Sequence, residues 1–412
     1  MTMSDRQASD PAASVADGPA YSLAQLVRYF LQLGALGFGG PVALVGFMHR
    51  DLVEKRQWVS ESDYREGLAL AQLAPGPLAA QLAIYLGYVH HGVIGATAVG
   101  LAFVLPSFVM VVALGWAYAG YGGLAWMQAV FYGVGACVIG IIAHSAFKLT
   151  RRTIGRDALL AAVFLASAVC TAISETEYIV LFLLAGVLVW LVKTPPKFGH
   201  GKSHAVNGIA PLVWLTGIEW HGFEWTAASQ TRLDILVFFT KAGAFVFGSG
   251  LAIVPFLYGG VVHEYHWLDD AQFLDAVAVA MITPGPVVIT VGFIGYLVDG
   301  LTGATLAAAA TFLPCYLFTI LPAPYFKKYG SRPGIASFVE GITAAAIGAI
   351  AGSVIVLARR TILDESWQLE WPKVLILLAT LGLLIRAKKI PEPVIVLAAA
   401  LVGLVIYPYV GP

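Results

Sequence analysis

Long apolar stretches separated by short polar segments dominate the chain, and they fall into two groups of six. The first group covers residues 23–47, 66–90, 93–119, 125–148, 157–173 and 178–192, and the second covers 233–262, 272–298, 301–323, 335–358, 373–387 and 391–410. Because lipid offers the backbone no hydrogen bonds, each stretch is predicted to be helical. The predicted fold class is therefore an all-α polytopic membrane protein.

The polar segments outside these groups predict the domain borders. Residues 1–21 are small and polar and lack the apolar core of a signal peptide, so we expect a disordered tail. Residues 194–231 contain Pro195-Pro196 and several Lys and His residues, which is typical of a linker. The predicted transmembrane domains are then 22–193 and 232–412.

The two groups are copies of one another. Pro75-Gly76-Pro77 returns 209 residues later as Pro284-Gly285-Pro286. The second copy is then one residue shorter, so that Leu105-Pro106 aligns with Leu313-Pro314 at an offset of 208. Agreement in the same order predicts two homologous repeats, an organisation common among secondary transporters.

Loop charges indicate that the repeats have opposite orientations. Loop 48–63 carries three Lys or Arg residues and its counterpart 263–270 carries none, whereas loop 119–124 carries none and its counterpart 327–332 carries three. Lys and Arg favour the cytoplasmic side, so the contrast predicts inversion. The crossings fit if each Pro-Gly-Pro segment is a helical hairpin that turns back within the membrane. This scheme gives an odd number of crossings per half and places the N-terminal tail opposite loop 48–63.

Each Pro-Gly-Pro copy predicts a break between two helices. The first proline disfavours helix at the preceding residue, and the second suits the first turn of a new helix. Broken backbone at membrane depth is tolerated where it is buried in protein or lines a polar cavity. Two helix N-termini that face each other would form an anion site, with neutral donors at Gln72, Gln81, Thr283 and Thr290. The alternative is a purely structural kink.

Glycine-rich segments near the start of each half are further candidates for the substrate site. Gly39 and Gly40 lie in the first segment, and Gly248, Ser249 and Gly250 lie in the second. Glycine permits close approach of an ion, and equally of another helix.

Three ionisable residues within apolar stretches are candidates for function. Lys241 would add a positive charge to an anion path, unless it extends to the interface. Glu66 and Asp275 occupy equivalent positions before the two Pro-Gly-Pro copies. They are candidates for proton coupling, with plain salt bridges as the alternative.

Composition excludes several functional classes. The chain is 59% hydrophobic and 12% charged, whereas a soluble domain carries about 25% charged residues. Formal net charge is +0, which argues against a nucleic-acid partner. The cysteines show no metal-binding spacing, and no phosphate-binding loop or hydrolase motif is present. We therefore expect no enzymatic activity, cofactor or bound metal.

The motifs resemble the chromate ion transporter (CHR) family over about residues 22–410. The resemblance is carried by FGGP, LAQLAPGPLAAQLAIYLGY and GLAFVLPSF in the first half, and by TKAGAFVFGSGLAIVPFL, AMITPGPVVITVGFIGY and FLPCYLF in the second. It implies export of chromate, a tetrahedral dianion similar in shape to sulfate, linked to protons or membrane potential. It also implies chromate resistance and a multi-pass protein of the bacterial plasma membrane. Alternatives are a carrier or channel for sulfate or another oxyanion, and a membrane-embedded enzyme. The oligomeric state stays open between a monomer and a homodimer.

Overall fold

The computed structural model describes residues 21–38, 40–121, 125–175, 179–195, 227–245, 250, 253–329, 332–363, 369–387 and 390–410. The first half contains α1 (Leu23–Leu36), α2 (Gly40–Met48), a π-helical turn (His49–Lys55), α3 (Glu61–Leu73), α4 (Leu78–Tyr121), α5 (Ala125–Thr153), α6 (Ala158–Ser174) and α7 (Ile179–Lys193). The second half contains α8 (Ala227–Phe245), α9 (Ile253–Tyr258), a π-helical turn (Gly259–Glu264), α10 (Asp270–Ile282), a 3-10 turn (Val287–Ile289), α11 (Thr290–Ile320), α12 (Ala323–Tyr329), α13 (Pro333–Ile362), α14 (Trp371–Arg386) and α15 (Glu392–Val410). The predicted tail before Tyr21 and linker residues 196–226 lie outside this description.

The helical architecture confirms the predicted fold class. Five helical segments of the described chain are long and apolar enough to cross a membrane, namely Leu78–Tyr121, Ala125–Thr153, Val287–Phe326, Pro333–Ile362 and Glu392–Tyr409. The shorter apolar helices Ala158–Ser174 and Val180–Lys193 accompany them.

The pair α1 and α2 forms a hairpin that does not cross the protein. The Tyr29 hydroxyl of α1 donates to the Phe47 carbonyl of α2 at 3.3 Å. Tyr21, just before α1, stacks on Trp58 at 5.0 Å and bonds His90 at 2.6 Å. The start of α1 therefore lies on the face that carries Trp58, which we call the Trp58 face. The prediction that the N-terminal side lies opposite loop 48–63 was wrong.

Each Pro-Gly-Pro copy joins the two limbs of a second hairpin, as the crossing argument predicts. Helices α3 and α10 stop where Ala74 and Thr283 become extended, because a proline follows each of them. In the first half the limbs lie side by side, since a Cβ added to Gly67 would stand 2.3 Å from the Tyr85 ring.

The long elements α4 and α11 each contain a second reversal. Gly92 and Gly300 have φ of 58° and 56° inside these elements, a conformation that favours glycine. The chain folds back there, and a Cβ on Gly87 would stand 2.5 Å from the Gly95 carbonyl oxygen. Each long element is thus a hairpin limb followed by a membrane span.

The spans of α4 and α11 pack antiparallel. Thr97, near the start of the first span, bonds the hydroxyl of Tyr316, near the end of the second, at 2.6 Å. The pair encloses an apolar cleft of about 430 Å³ to which each span contributes equivalent residues: Thr97, Gly100, Leu101, Val104, Leu105 and Phe108 from α4, and Thr305, Ala308, Ala309, Phe312, Leu313 and Tyr316 from α11. Equivalent helices in antiparallel contact require a two-fold axis in the membrane plane. The repeats are therefore inverted, as predicted.

The later helices are exchanged between the halves. Helix α5 packs against α14 and α15 of the second half, and its equivalent α13 packs against α6 and α7 of the first. Glycines make both contacts close: a Cβ on Gly133 would stand 2.1 Å from the Ala399 carbonyl oxygen, and one on Gly341 would stand 2.5 Å from that of Ala185. The two halves thus share one interlocked core.

Ion pairs at the helix ends mark the Trp58 face. Lys193, at the end of α7, binds Asp157 at 2.6 Å and Glu340 at 2.7 Å. These contacts bring the α5–α6 connection and the first turns of α13 to the same side. Glu340, which lies within the apolar stretch 335–358, is held in this ion pair.

A second ionic cluster marks the opposite face, which carries Trp267 and is called the Trp267 face. Glu175, after α6, binds Arg359 at 2.7 Å and also Arg360, which in turn binds Asp270 at 3.2 Å. Basic residues at the end of α13 are thereby neutralised on the face whose loops carry little positive charge.

The last described helix of the first half ends on one face, and the first described helix of the second half begins on the other. Four crossings, through the span of α4 and through α5, α6 and α7, bring Lys193 back to the Trp58 face. Near the start of the second half, Arg232 binds Asp299 at 2.7 Å, beside the α11 reversal on the Trp267 face. The expected odd number of crossings per half was wrong, because α1 and α2 form a hairpin.

Candidate functional site

Each Pro-Gly-Pro glycine lies against the proline-containing span of the other half. In the second copy, the Gly285 amide donates to the Gly37 carbonyl at 3.0 Å, and a Cβ on Gly285 would stand 2.0 Å from Ser107 Oγ. In the first copy, a Cβ on Gly76 would stand 3.2 Å from Cys315 Sγ. Ser107 and Cys315 each follow the Leu-Pro motif of their span, so the two contacts obey the pseudo-two-fold symmetry.

The two breaks do not meet at one point. Since Thr97 lies opposite Tyr316 in the antiparallel spans, Ser107 and Cys315 are separated along the pair by roughly 14 Å, at about 1.5 Å per residue. Each hairpin enters from its own face and stops short of the two-fold axis. The expectation that both helix N-termini would face each other across one site is not met, and two related sites replace it.

The two breaks differ in burial. Pro284, Gly285 and Pro286 are all buried, together with the limb that follows them. In the first copy Gly76 and Pro77 are buried, but Pro75 is only half-buried. The second break is sealed, whereas the first is partly open.

Polar side chains around the breaks are mostly engaged with the backbone. Thr283 and Thr290 donate to carbonyls of α10 at 3.1 and 3.5 Å. Gln81 Nε2 donates to the Pro75 carbonyl at 2.7 Å, while its buried Oε1 has no partner among the described residues. Of these side chains, only Gln81 presents a free buried hydrogen-bonding atom. The fourth predicted donor, Gln72, is exposed.

The glycine-rich segments lie against the second hairpin and α15. Gly37 binds Gly285 as described, and a Cβ on Gly40 would stand 3.8 Å from Glu392 Oε2. In the second half, a Cβ on Gly250 would stand 3.4 Å from the Val288 side chain. The other predicted members lie outside the described residues: Gly39, Gly248 and Ser249.

A basic cavity of about 750 Å³ opens on the Trp58 face and reaches Glu392. Its lining comprises His144, Ser145, Phe147, Lys148, Arg151, Arg152, Leu384, Ile385, Ala387, Ile390 and Glu392. Lys148, Arg151 and Arg152 form no ion pair with any described residue, although Lys148 interacts electrostatically with Glu392. The cavity therefore carries excess positive charge, and its inner end at Glu392 lies next to Gly40.

A smaller cavity of about 270 Å³ leads to Gly37 from the same face, and Arg50 and Arg56 lie among its walls. Arg50 is paired with Asp51 at 3.1 Å. Burial works to raise the pKa of Asp51, but hydrogen bonds and charge from Arg50 and Lys55 outweigh it and hold the pKa below its usual value. Arg56 stacks on aromatic rings instead and keeps its charge unpaired among described residues.

The three predicted ionisable residues differ in their surroundings. Lys241 is exposed on α8. Asp275 is buried, and its Oδ2 accepts a hydrogen bond from Tyr118 at 2.7 Å. Glu66 is hydrogen-bonded to Tyr85. Both carboxyl groups thus have tyrosine partners, which is compatible with either of their predicted roles.

Sequence reasoning missed three residues that the fold brings to these places. Ser107 and Cys315 follow the repeated Leu-Pro motif, so extending that alignment by one position would have found them. Glu392 starts α15, and the sequence carries no signal that this helix would reach Gly40.

Comparison with known proteins agrees with the repeat. The model of the family described as chromate transporter matches residues 24–190 and 233–404. The chain belongs to the chromate transporter family. A chromate transport protein of Cupriavidus metallidurans is 66% identical over 96% of both chains. A probable chromate transport protein of Synechococcus elongatus is 60% identical over 94% of this chain and 97% of its own.

Similarity extends to more distant family members. A chromate transport protein of Pseudomonas aeruginosa is 30% identical over 95% of this chain and 94% of its own. No solved structure matches the chain.

Proposed function

We propose that the protein exports chromate across the bacterial plasma membrane by alternating access of its inverted halves, and so confers chromate resistance. The substrate is inferred from the names of the relatives. Transport would be driven by the membrane potential, because a dianion moves favourably from a negative to a positive compartment, or by a proton gradient.

The observation that carries the proposal is the unpaired charge of the large basic cavity. Lys148, Arg151 and Arg152 give this cavity a positive field, and low-dielectric walls concentrate such a field on an incoming anion. At the equivalent positions of the second half, Arg359 and Arg360 are neutralised by Glu175. Among the described residues, this arrangement of arginines would attract anions to the face that carries the large basic cavity.

The Trp58 face is assigned to the cytoplasm. Arg56, Arg151 and Arg152, which form no ion pair with a described residue, lie on this face, as the positive-inside rule requires. Chromate would then enter the basic cavities from the cytoplasm and pass the glycine-rich segment at Gly37 and Gly40. The backbone amides at the two Pro-Gly-Pro breaks would bind it in turn as access alternates.

Transport of radiolabelled chromate into everted membrane vesicles tests this function. Vesicles that contain the protein should accumulate chromate saturably, and excess sulfate should compete weakly. Stronger transport of sulfate than of chromate would instead favour the alternative oxyanion carrier. Absence of uptake above vesicles without the protein would contradict the proposal.

A further inference from the structure

The side-chain amide of Gln81 lies directly over the first break. Its Nε2 donates to the Pro75 carbonyl at 2.7 Å, and a Cβ on Gly76 would stand 2.6 Å from this nitrogen. The orientation of the amide is determined by this bond, because the opposite one would set two oxygen atoms against each other. Gln81 Oε1 therefore faces away from Pro75, and Gln81 is 0% exposed.

Gln81 Oε1 is an acceptor without a donor. It has no hydrogen-bond partner among the described residues, and leaving a buried polar atom unpaired costs about 1–3 kcal/mol. Such atoms in a native fold call for an explanation, and a ligand that supplies the missing donor is one.

Donors for an anion belong to the same first turn of α4 as Gln81. The first hydrogen bond of α4 runs from the Gln81 amide to the Pro77 carbonyl at 3.0 Å. The amides of Leu78, Ala79 and Ala80 precede it and have no partner within the helix. The break thus offers several N–H donors, the positive end of a long helix and one oxygen acceptor.

We propose that the first break binds its oxyanion in the monoprotonated form, with the O–H of the ion donated to Gln81 Oε1. This inference rests on the proposed function. A fully ionised dianion carries acceptors only, so it would leave Oε1 unpaired and in repulsive contact. Hydrogen chromate presents acceptors to the amides and a donor to Gln81. The second break should not distinguish the two protonation states, because the equivalent residue is Thr290, whose hydroxyl already donates to a carbonyl of α10.

Titratable groups of the protein near this break need a control. They are the Cys315 thiol on α11, Glu66 on α3 with its partner Tyr85 on α4, and His90 at the far end of the same limb. Selenate serves as that control, because it stays a dianion at neutral pH whereas chromate takes up a proton just below neutrality.

The experiment measures chromate transport by purified protein in liposomes as the pH is lowered from mildly alkaline to mildly acidic, with selenate as inhibitor. The KM for total chromate should fall several-fold as the monoprotonated fraction rises, while inhibition by selenate stays weak and constant. In Gln81→Met, which keeps the side-chain length without the acceptor, the KM should lose its pH dependence. Thr290→Val in the other hairpin should keep it.

Two results would overturn the inference while leaving the transport function intact. A KM that is flat or rises on acidification would make the dianion the substrate. If inhibition by selenate strengthens on acidification together with the affinity for chromate, the group that takes up the proton belongs to the protein and not to the substrate. Absence of chromate flux in the wild type would reject the proposed function itself. If Gln81→Met fails to fold, the chromate and selenate comparison in the wild type still decides.

Discussion

Gly285 is confined by contacts from the first half, whereas Gly92, another glycine with positive φ, is not. A Cβ at Gly285, where φ is 93°, would overlap Ser107 Oγ at 2.0 Å. Gly92 also has positive φ, but nothing lies within 4 Å of a Cβ built there. The two positions share a backbone requirement and differ in their surroundings, so they separate the effect of packing from that of backbone strain.

Gly285→Ala is therefore expected to destabilise the protein far more than Gly92→Ala. A non-glycine residue with left-handed backbone costs about 1–2 kcal/mol, which both variants incur, and the overlap with Ser107 adds to it only at Gly285. The thermal unfolding midpoint in detergent should fall by several degrees more for Gly285→Ala. Adding Ser107→Gly should recover part of that loss, and equal midpoints for the two single variants would refute the packing contact.

The breaks could be predicted from residues, but their partners could not. Proline acts on its immediate neighbours, so the ends of α3 and α10 follow from local sequence. Ser107 and Cys315 reach the glycines only through antiparallel packing of the two spans. Thr283 and Thr290 were predicted to be free donors, but both donate to carbonyls of α10. No local sequence pattern reveals these hydrogen bonds.

Helices α5 and α13 are equivalent elements with different chemistry at their C-terminal ends. Arg151 and Arg152 line an open cavity without acidic partners in the described chain. Arg359 and Arg360 occupy the equivalent positions and bind Glu175. One pair is therefore available to a ligand, and the other stabilises helix contacts.

Neutralising the two arginine pairs should affect different properties. Arg151→Gln with Arg152→Gln should raise the KM for chromate several-fold and weaken its dependence on ionic strength, since screening acts on the field of the cavity. The unfolding midpoint should hardly change. Initial uptake rates at several salt concentrations measure this effect.

Arg359→Gln with Arg360→Gln is the matched control. It should lower the unfolding midpoint, because Glu175 and Asp270 lose their partners, while the KM stays near that of the wild type. A reversed pattern, with the KM sensitive only to Arg359 and Arg360, would place the anion entrance on the Trp267 face.

The topology of the whole molecule depends on the hairpin of α1 and α2. Its glycine-rich turn was expected to lie within one continuous crossing, because the apolar pattern of 23–47 has the length of a span. Contacts such as Tyr21 with Trp58 show that the chain returns. Inversion of the repeats could be predicted from loop charge, but neither this return nor the exchange of α5 and α13 between halves leaves a local signature.

Cysteine labelling from one side of the membrane should reproduce this topology. In a background where Cys137, Cys170 and Cys315 are replaced by alanine, Ser22→Cys and Glu54→Cys should react with an impermeant maleimide from the same side. Glu264→Cys should react from the other side. Opposite accessibility of Ser22→Cys and Glu54→Cys would restore a crossing by α1 and α2 and exclude the hairpin.

The most direct test of an oxyanion exporter with one basic entrance is chromate flux under an imposed membrane potential. Purified protein in liposomes should carry chromate saturably toward the positive compartment, with a rate that rises with the potential and falls in Arg151→Gln with Arg152→Gln. Flux equal to that of empty liposomes, or flux indifferent to both the potential and the basic cavity, would contradict the account.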